Sequence, residues 1–252
     1  VREIERRAVA VGDGFDRDER TAQVQVIREA ADSDDVVAGQ MRDRHERRVL
    51  DAGGMPMFSS PDRATVRALL EGYLRAKDLN RPELIAACFA ADAELSFSLA
   101  SNDIDFPARV DGAPAIAKTL VGDFGERFER CRTYCVCVEP HVNGDGACEM
   151  PWLVVMRQKD SGALRIGNGT YRWQFAREHD GAERIARLHI HIVRMDTIDD
   201  PRADRLDALH GALGYPWLPP HALARGLGEV AAAHLGWTFL QPFLQPAVHA
   251  GA

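Results

Sequence analysis

The chain has 252 residues, 46% of them hydrophobic, and a formal charge of −7. That is ample for a core and well above the disordered range. The acid excess argues against nonspecific nucleic-acid binding, whose affinity comes mainly from Lys and Arg on phosphates. No apolar run approaches the ~20 residues that cross a bilayer, so no membrane association is expected. The charged N-terminus lacks the apolar stretch of a secretory signal, and a cytoplasmic location is the resulting expectation. The cysteines, Cys88, Cys131, Cys135, Cys137 and Cys148, are odd in number and irregular in spacing. They fit neither a disulfide framework nor a paired zinc motif and read as buried free thiols.

Residues 1–54 are rich in Arg, Asp and Glu, contain no Lys, and have Phe15 as their only aromatic. Gln23 to Leu50 has the composition of a charged helix. Its apolar stripe of Val36, Val37 and Met41 is too thin for a core of its own. Residues 1–57 are therefore expected to be a disordered or loosely helical arm, or an extension upstream of the true coding start, since Met55 and Met57 precede the first well-patterned segment.

That segment opens at Ser60-Pro61-Asp62, a helix start. Val66, Leu69, Leu70, Tyr73 and Leu74 then recur at helical spacing. Asp78-Leu79-Asn80-Arg81-Pro82 breaks the helix, and Leu84, Ile85, Cys88 and Phe89 give a second one its apolar face. Glu94 to Leu99 alternates as a half-buried strand. After a polar loop holding Asp103 and Asp105, residues 113–128 are predicted as a third helix, with Ile116, Leu120 and Phe124 spaced by four. Strands are predicted at 133–139, 147–158, 163–176 and 184–195, separated by turn signals such as Asn143-Gly144-Asp145-Gly146. From Pro201 a tail includes a predicted helix from His221 to Leu235. Its apolar face, with Trp237, Phe239 and Phe243, must pack on its own domain or on a partner.

Helices followed by a strand meander argue an α+β fold, with long strands curved against three helices around a mainly apolar cavity. The succession Leu70…Tyr73…Asp78…Leu84…Cys88-Phe89-Ala90-Ala91-Asp92-Ala93-Glu94, Val110-Asp111-Gly112…Ile116, Gly144-Asp145-Gly146-Ala147, Gly169-Thr170-Tyr171 and Arg184-Ile185 resembles the NTF2-like, SnoaL-like proteins. The resemblance covers residues 62–197. It implies a cone-shaped barrel, a curved antiparallel sheet on three N-terminal helices enclosing a pocket. The expected division is an arm (1–57), this domain (58–200) and a C-terminal helical extension (201–252).

Proteins of this kind include polyketide cyclases, ketosteroid isomerases, dehydratases, epoxide hydrolases and non-catalytic binding domains, so the fold alone does not set the activity. The isomerases carry a carboxylate base on the first strand, in the region here reading Glu94-Leu95-Ser96-Phe97-Ser98, whose inward positions carry Ser or apolar groups and no Asp. The dehydratase-like members pair a Tyr with an Asp five residues later, as Tyr73 and Asp78 do here. They also use a His on the strand after the third helix, where this chain has Thr133, with His141 further along.

In the expected mechanism Tyr73 polarises a substrate oxygen and Asp78 supports it, while His189 or His191, which share one face of the last strand, moves the proton. Tyr73 has core packing, and Asp78 a helix-end or turn role, as the structural alternative. The histidines have a solvent or dimer face as theirs. Phe97, Trp152, Tyr171 and Trp173 are the predicted ligand-lining residues. The expectation is a cofactor-free and metal-free isomerase, dehydratase or cyclase for an apolar small molecule, acting as a homodimer. The alternative is a non-catalytic binding or dimerisation domain.

Overall fold

The computed structural model of the chain describes residues 58–99 and 109–248. The predicted arm and the loop residues Asp103 and Asp105 lie outside the described residues.

Asp62 caps α1 (Arg63–Asp78), its carboxylate accepting the Thr65 N–H at 2.8 Å, as a helix start requires. Val66, Leu69, Leu70, Tyr73 and Leu74 are buried along one face, and so is Lys77. The second predicted helix shrinks to a 3₁₀ turn (Pro82–Leu84) and a single turn, α2 (Ile85–Cys88). The chain then enters β1 (Phe89–Leu99), five residues earlier than the alternation begins, because Phe89 already pairs with Ile185 ahead of a bulge. After β2 (Val110–Asp111), the predicted third helix becomes three pieces. These are α3 (Ala113–Ala117), a π turn (Lys118–Gly122) and α4 (Asp123–Arg127).

The strands β3 (Phe128–Cys135), β4 (Ala147–Gln158), β5 (Leu164–Arg177) and β6 (Glu183–Ile198) follow. β3 lies earlier than the predicted 133–139, and it ends where the Cys135 amide donates to the Pro216 carbonyl at 2.8 Å. The sheet order is β2-β1-β6-β5-β4-β3. All pairs are antiparallel except β1 with β6, which is parallel. The expectation of a purely antiparallel sheet is corrected at that pair: no hairpin joins the two strands, so no turn forces their directions to oppose. Nor does the sheet close into a barrel. β2 and β3 are its edges.

The inner face of the sheet buries α1, α3 and the π turn against Trp152, Trp173, Phe175, Ile185 and Leu188. Its outer face over β3–β5 is covered by the chain's own C-terminal segment, α5 (Asp204–Ala212) and α6 (Pro220–Ala233), with a 3₁₀ turn (Thr238–Phe243). Leu206, Leu209, Leu227 and Phe243 pack there on Tyr134, Leu153, Val155 and Ile166. The extension therefore uses its apolar face on its own domain, and the sheet has two cores, one on each side. Among the described residues no helix is long and apolar enough to cross a membrane.

Two predictions follow from this second core. Leu227 is fully buried, so Leu227→Ala should lower unfolding stability by about 2–5 kcal/mol, read as a lower urea midpoint. His210 on α5 is packed over β4, its Nε2 3.4 Å from the Val155 carbonyl oxygen. Burial, then the positive charge of Arg132, depresses its pKa from 6.5 to about 4. A depressed histidine gives stability that is complete above the unfolded value and is lost as pH falls toward the folded one, because the unfolded chain takes up the proton first. The thermal midpoint should thus fall between pH 6.5 and about 4, and His210→Gln should flatten that slope.

Candidate functional site

Two cavities meet at the C-terminal half of α1. The first, about 100 Å³, lies between the helices and the inner face of the sheet. Phe97, Phe124, Trp152, Tyr171, Ile190 and Ile192 form much of its wall, with Tyr73 and Lys77 reaching it from α1. Tyr73 is fully buried, and among the described residues its hydroxyl makes no hydrogen bond of ordinary geometry, with only the Tyr171 hydroxyl close enough to interact with it. Burial pushes its pKa up to about 12, which keeps it a neutral donor. The Trp152 Nε1–H is likewise buried without a partner. Trp152 can lie flat along the strand because Gly169 is beside it: a Cβ there would come within 2.6 Å of the indole. Three of the four predicted lining residues, Phe97, Trp152 and Tyr171, thus face this cavity. Trp173 does not line it; it packs behind, edge-on to Tyr73 with ring centroids 5.1 Å apart.

The second cavity, about 190 Å³, has a polar wall that includes Asp78, Asn80, Glu129, Arg130 and Lys159. Tyr73 and Asp78 therefore line different cavities, and Lys77, Phe124 and Phe128 line both. The Asp78 side chain is only 2% exposed. Its Oδ2 accepts from the Thr133 N–H at 2.7 Å and the Tyr215 hydroxyl at 3.1 Å. Its Oδ1 accepts from the Thr133 hydroxyl at 2.9 Å and the Cys131 thiol at 3.2 Å. Four donors close around the carboxylate before Lys77 is counted, at 3.5 Å from Oδ1. A carboxylate held in this way, with both oxygens engaged, is a structural anchor.

Thr133 stands directly on Asp78, so the place where dehydratase-like proteins set a histidine is filled by a hydroxyl bonded to the carboxylate. Lys77 and Tyr215 went unnoticed in the sequence. For Lys77 a signal existed: it falls four residues after Tyr73, on the apolar stripe of the same helix. For Tyr215, 137 residues from Asp78, nothing local could have given it away.

The last strand gives the clearest correction. Leu188, Ile190 and Ile192 face the inner core, and the latter two line the apolar cavity. His189 and His191 alternate with them and point to the opposite face. There His189 bridges Ser96 and Ser98 at 2.9 Å each, and His191 Nδ1 lies 2.7 Å from Ser98 Oγ. The sheet stands between both imidazoles and the cavity, so neither serves as its base. Among the described residues no group of three or more His, Cys, Asp or Glu is arranged to hold a metal.

The SnoaL-like domain profile matches residues 59–189, just over half of the chain, and the chain belongs to that family. No curated protein matches it. Among solved structures it is similar to an NTF2-like superfamily protein from Salmonella enterica serovar Typhimurium, at 18% identity and a TM-score of 0.44, over 52% of this chain and 91% of that one. It is similar also to a hexachlorocyclohexane dehydrochlorinase from Novosphingobium barchaimii, at 13% identity and a TM-score of 0.43, over 54% and 89%. A ketosteroid isomerase-like protein from Erwinia carotovora matches at 12% identity and a TM-score of 0.40, over 53% and 98%. Likenesses of this size carry nothing about chemistry.

If Asp78 is an anchor, removing it should strike stability. Asp78→Ala leaves a buried ammonium beside a set of unpaired donors and should lower stability by about 3–5 kcal/mol, measured by chemical denaturation. A variant that unfolds like the parent would show that the cluster contributes nothing to the fold.

Proposed function

We propose that this domain is a small-molecule pocket protein that binds an apolar, ring-sized ligand in the inner cavity and donates a hydrogen bond to a ligand oxygen. The observation that carries the reading is the Tyr73 hydroxyl, fully buried beside an apolar cavity and, among the described residues, without a hydrogen bond of ordinary geometry, the Tyr171 hydroxyl being its one polar neighbour. A buried phenol without a partner loses free energy that a ligand acceptor would restore. The cavity volume also bears on ligand size: an apolar cavity of about 150 Å³ accepts benzene, so about 100 Å³ makes a single small ring the upper limit, seated only if the wall yields.

Turnover is the second reading. A phenol that polarises a carbonyl is half of an isomerase, dehydratase or cyclase site, and no cofactor is needed for such acid–base steps. The other half is a base, and among the described residues no carboxylate or imidazole lines this cavity. The geometry therefore favours ligand binding over base-driven turnover. All five cysteines are free, which fits a reducing compartment such as the cytoplasm. A homodimer, if formed through the sheet, would have to use the outer face of β6 and β1, since the C-terminal helices occupy that of β3–β5.

Thermal denaturation with neutral single-ring ligands tests the reading. Cyclohexenone at about 100 times its Kd should stabilise the protein by about 2.7 kcal/mol. Tyr73→Phe should bind it up to about tenfold more weakly, the worth of one hydrogen bond, while cyclohexene binding stays unchanged. If no ring compound raises the midpoint, the cavity is not a ligand site.

A further inference from the structure

One end of the inner cavity is rigid and the other is not. At the closed end Tyr73, Trp152, Tyr171 and Trp173 form one interlocked aromatic group, neighbouring ring centroids standing 5.1–6.3 Å apart. All four are buried, and planar rings packed in this way have no room to turn. At the other end the apolar lining residues Phe97, Phe124, Ile192 and Met195 are half-buried, which places the mouth there. Phe124 is packed on Phe128 at 4.8 Å, and Ile192 is β-branched and stiff. Met195 is unbranched, has three rotatable bonds and adapts readily to what lies against it.

Two local features bring Met195 to the cavity. Where β6 pairs with β5, Ile192 lies opposite Gly169 and Arg194 opposite Asn168, so Val193 is an extra residue, a β-bulge. Strict alternation from Ile192 would send Met195 to the outer face, and the bulge returns it to the inner one. The residue opposite Met195 is Gly167, and opposite Gly167 on β4 stands Val154, which also lines the cavity. A Cβ on Gly167 would come within 2.4 Å of the Met195 Cε and 2.7 Å of its Sδ. The thioether therefore lies flat over the glycine, in space that any other residue would fill.

We propose that Met195 is the specificity-determining residue of the pocket, a movable stop at its mouth that sets how long a ligand can be. This rests on the pocket reading above and names the ligand more closely, as an oxygenated ring with an apolar substituent. The oxygen faces Tyr73 at the closed end, and the substituent runs out along the row Val154, Gly167 and Met195. At about 100 Å³ the cavity is smaller than the roughly 150 Å³ that takes benzene, so such a ligand is seated only as the wall gives way. The wall gives way where Met195 swings off Gly167, and the bared glycine leaves an apolar trough on the sheet for the substituent.

Titration calorimetry of the full chain with cyclohexenone and with 4-butylcyclohexenone tests the assignment. Each methylene taken out of water is worth about fourfold in Kd. In Met195→Ala nothing closes over Gly167, and the preference for the butyl compound over cyclohexenone should exceed that of the wild type by at least about tenfold, close to the worth of two methylenes. Should that variant not fold, Met195→Val, a smaller change, replaces it. A side chain that served the fold alone would, on removal, weaken both ligands alike. A preference that does not rise therefore overturns the assignment and leaves the pocket reading standing. Binding of neither compound to either protein overturns both.

Discussion

A carboxylate with 2% of its surface exposed must find donors, and Asp78 finds them on three separate segments. Lys77 comes from its own helix, Cys131 and Thr133 from β3, and Tyr215 from the loop between α5 and α6. That set of bonds joins the end of α1 to the edge strand and to the C-terminal extension. The loop is held further by Trp217, whose indole donates to Glu71 at 2.6 Å and lies under Arg67. The helix that carries Tyr73 and Lys77 is thereby held in place from both sides. The cavity wall depends on that anchorage.

The anchorage also explains why the site differs from an acid–base dyad. A carboxylate can raise the basicity of a histidine only if an oxygen is left to accept the imidazole N–H. Here both oxygens of Asp78 are occupied by short donors, and a threonine stands at the position of the imidazole. Among the described residues the polar side chains that line the inner cavity are Tyr73, Tyr171, Trp152, Thr119, Lys77 and Arg127, with no carboxylate or imidazole. Such a wall offers donors to an acceptor atom.

The C-terminal helices give the sheet a second core, which a single layer of strands on three helices would lack. Without them Tyr134, Leu153, Val155 and Ile166 would leave a broad apolar patch on the outer face. Ser96, Ser98, His189 and His191 fill the part of that face that the helices do not cover. The polar character of those positions, which in the sequence reads equally well as a catalytic row, is that of a sheet surface.

The sequence by itself determined the elements whose periodicity is local. The Asp62 start and apolar stripe of α1, the long strands and the helical tail were legible. These follow from side-chain spacing, which fixes which residues share a face. Spacing cannot say which of two faces of a strand is the inner one, because both faces of this sheet are packed over part of its area. That choice, and with it the exclusion of His189 and His191 from the cavity, was made by the parallel pairing of β1 with β6 and by the helices docked on the outer face. The role of Asp78 was likewise decided by contacts 55 and 137 residues away. Such contacts have no local pattern, since only the folded chain brings Thr133 and Tyr215 to one carboxylate.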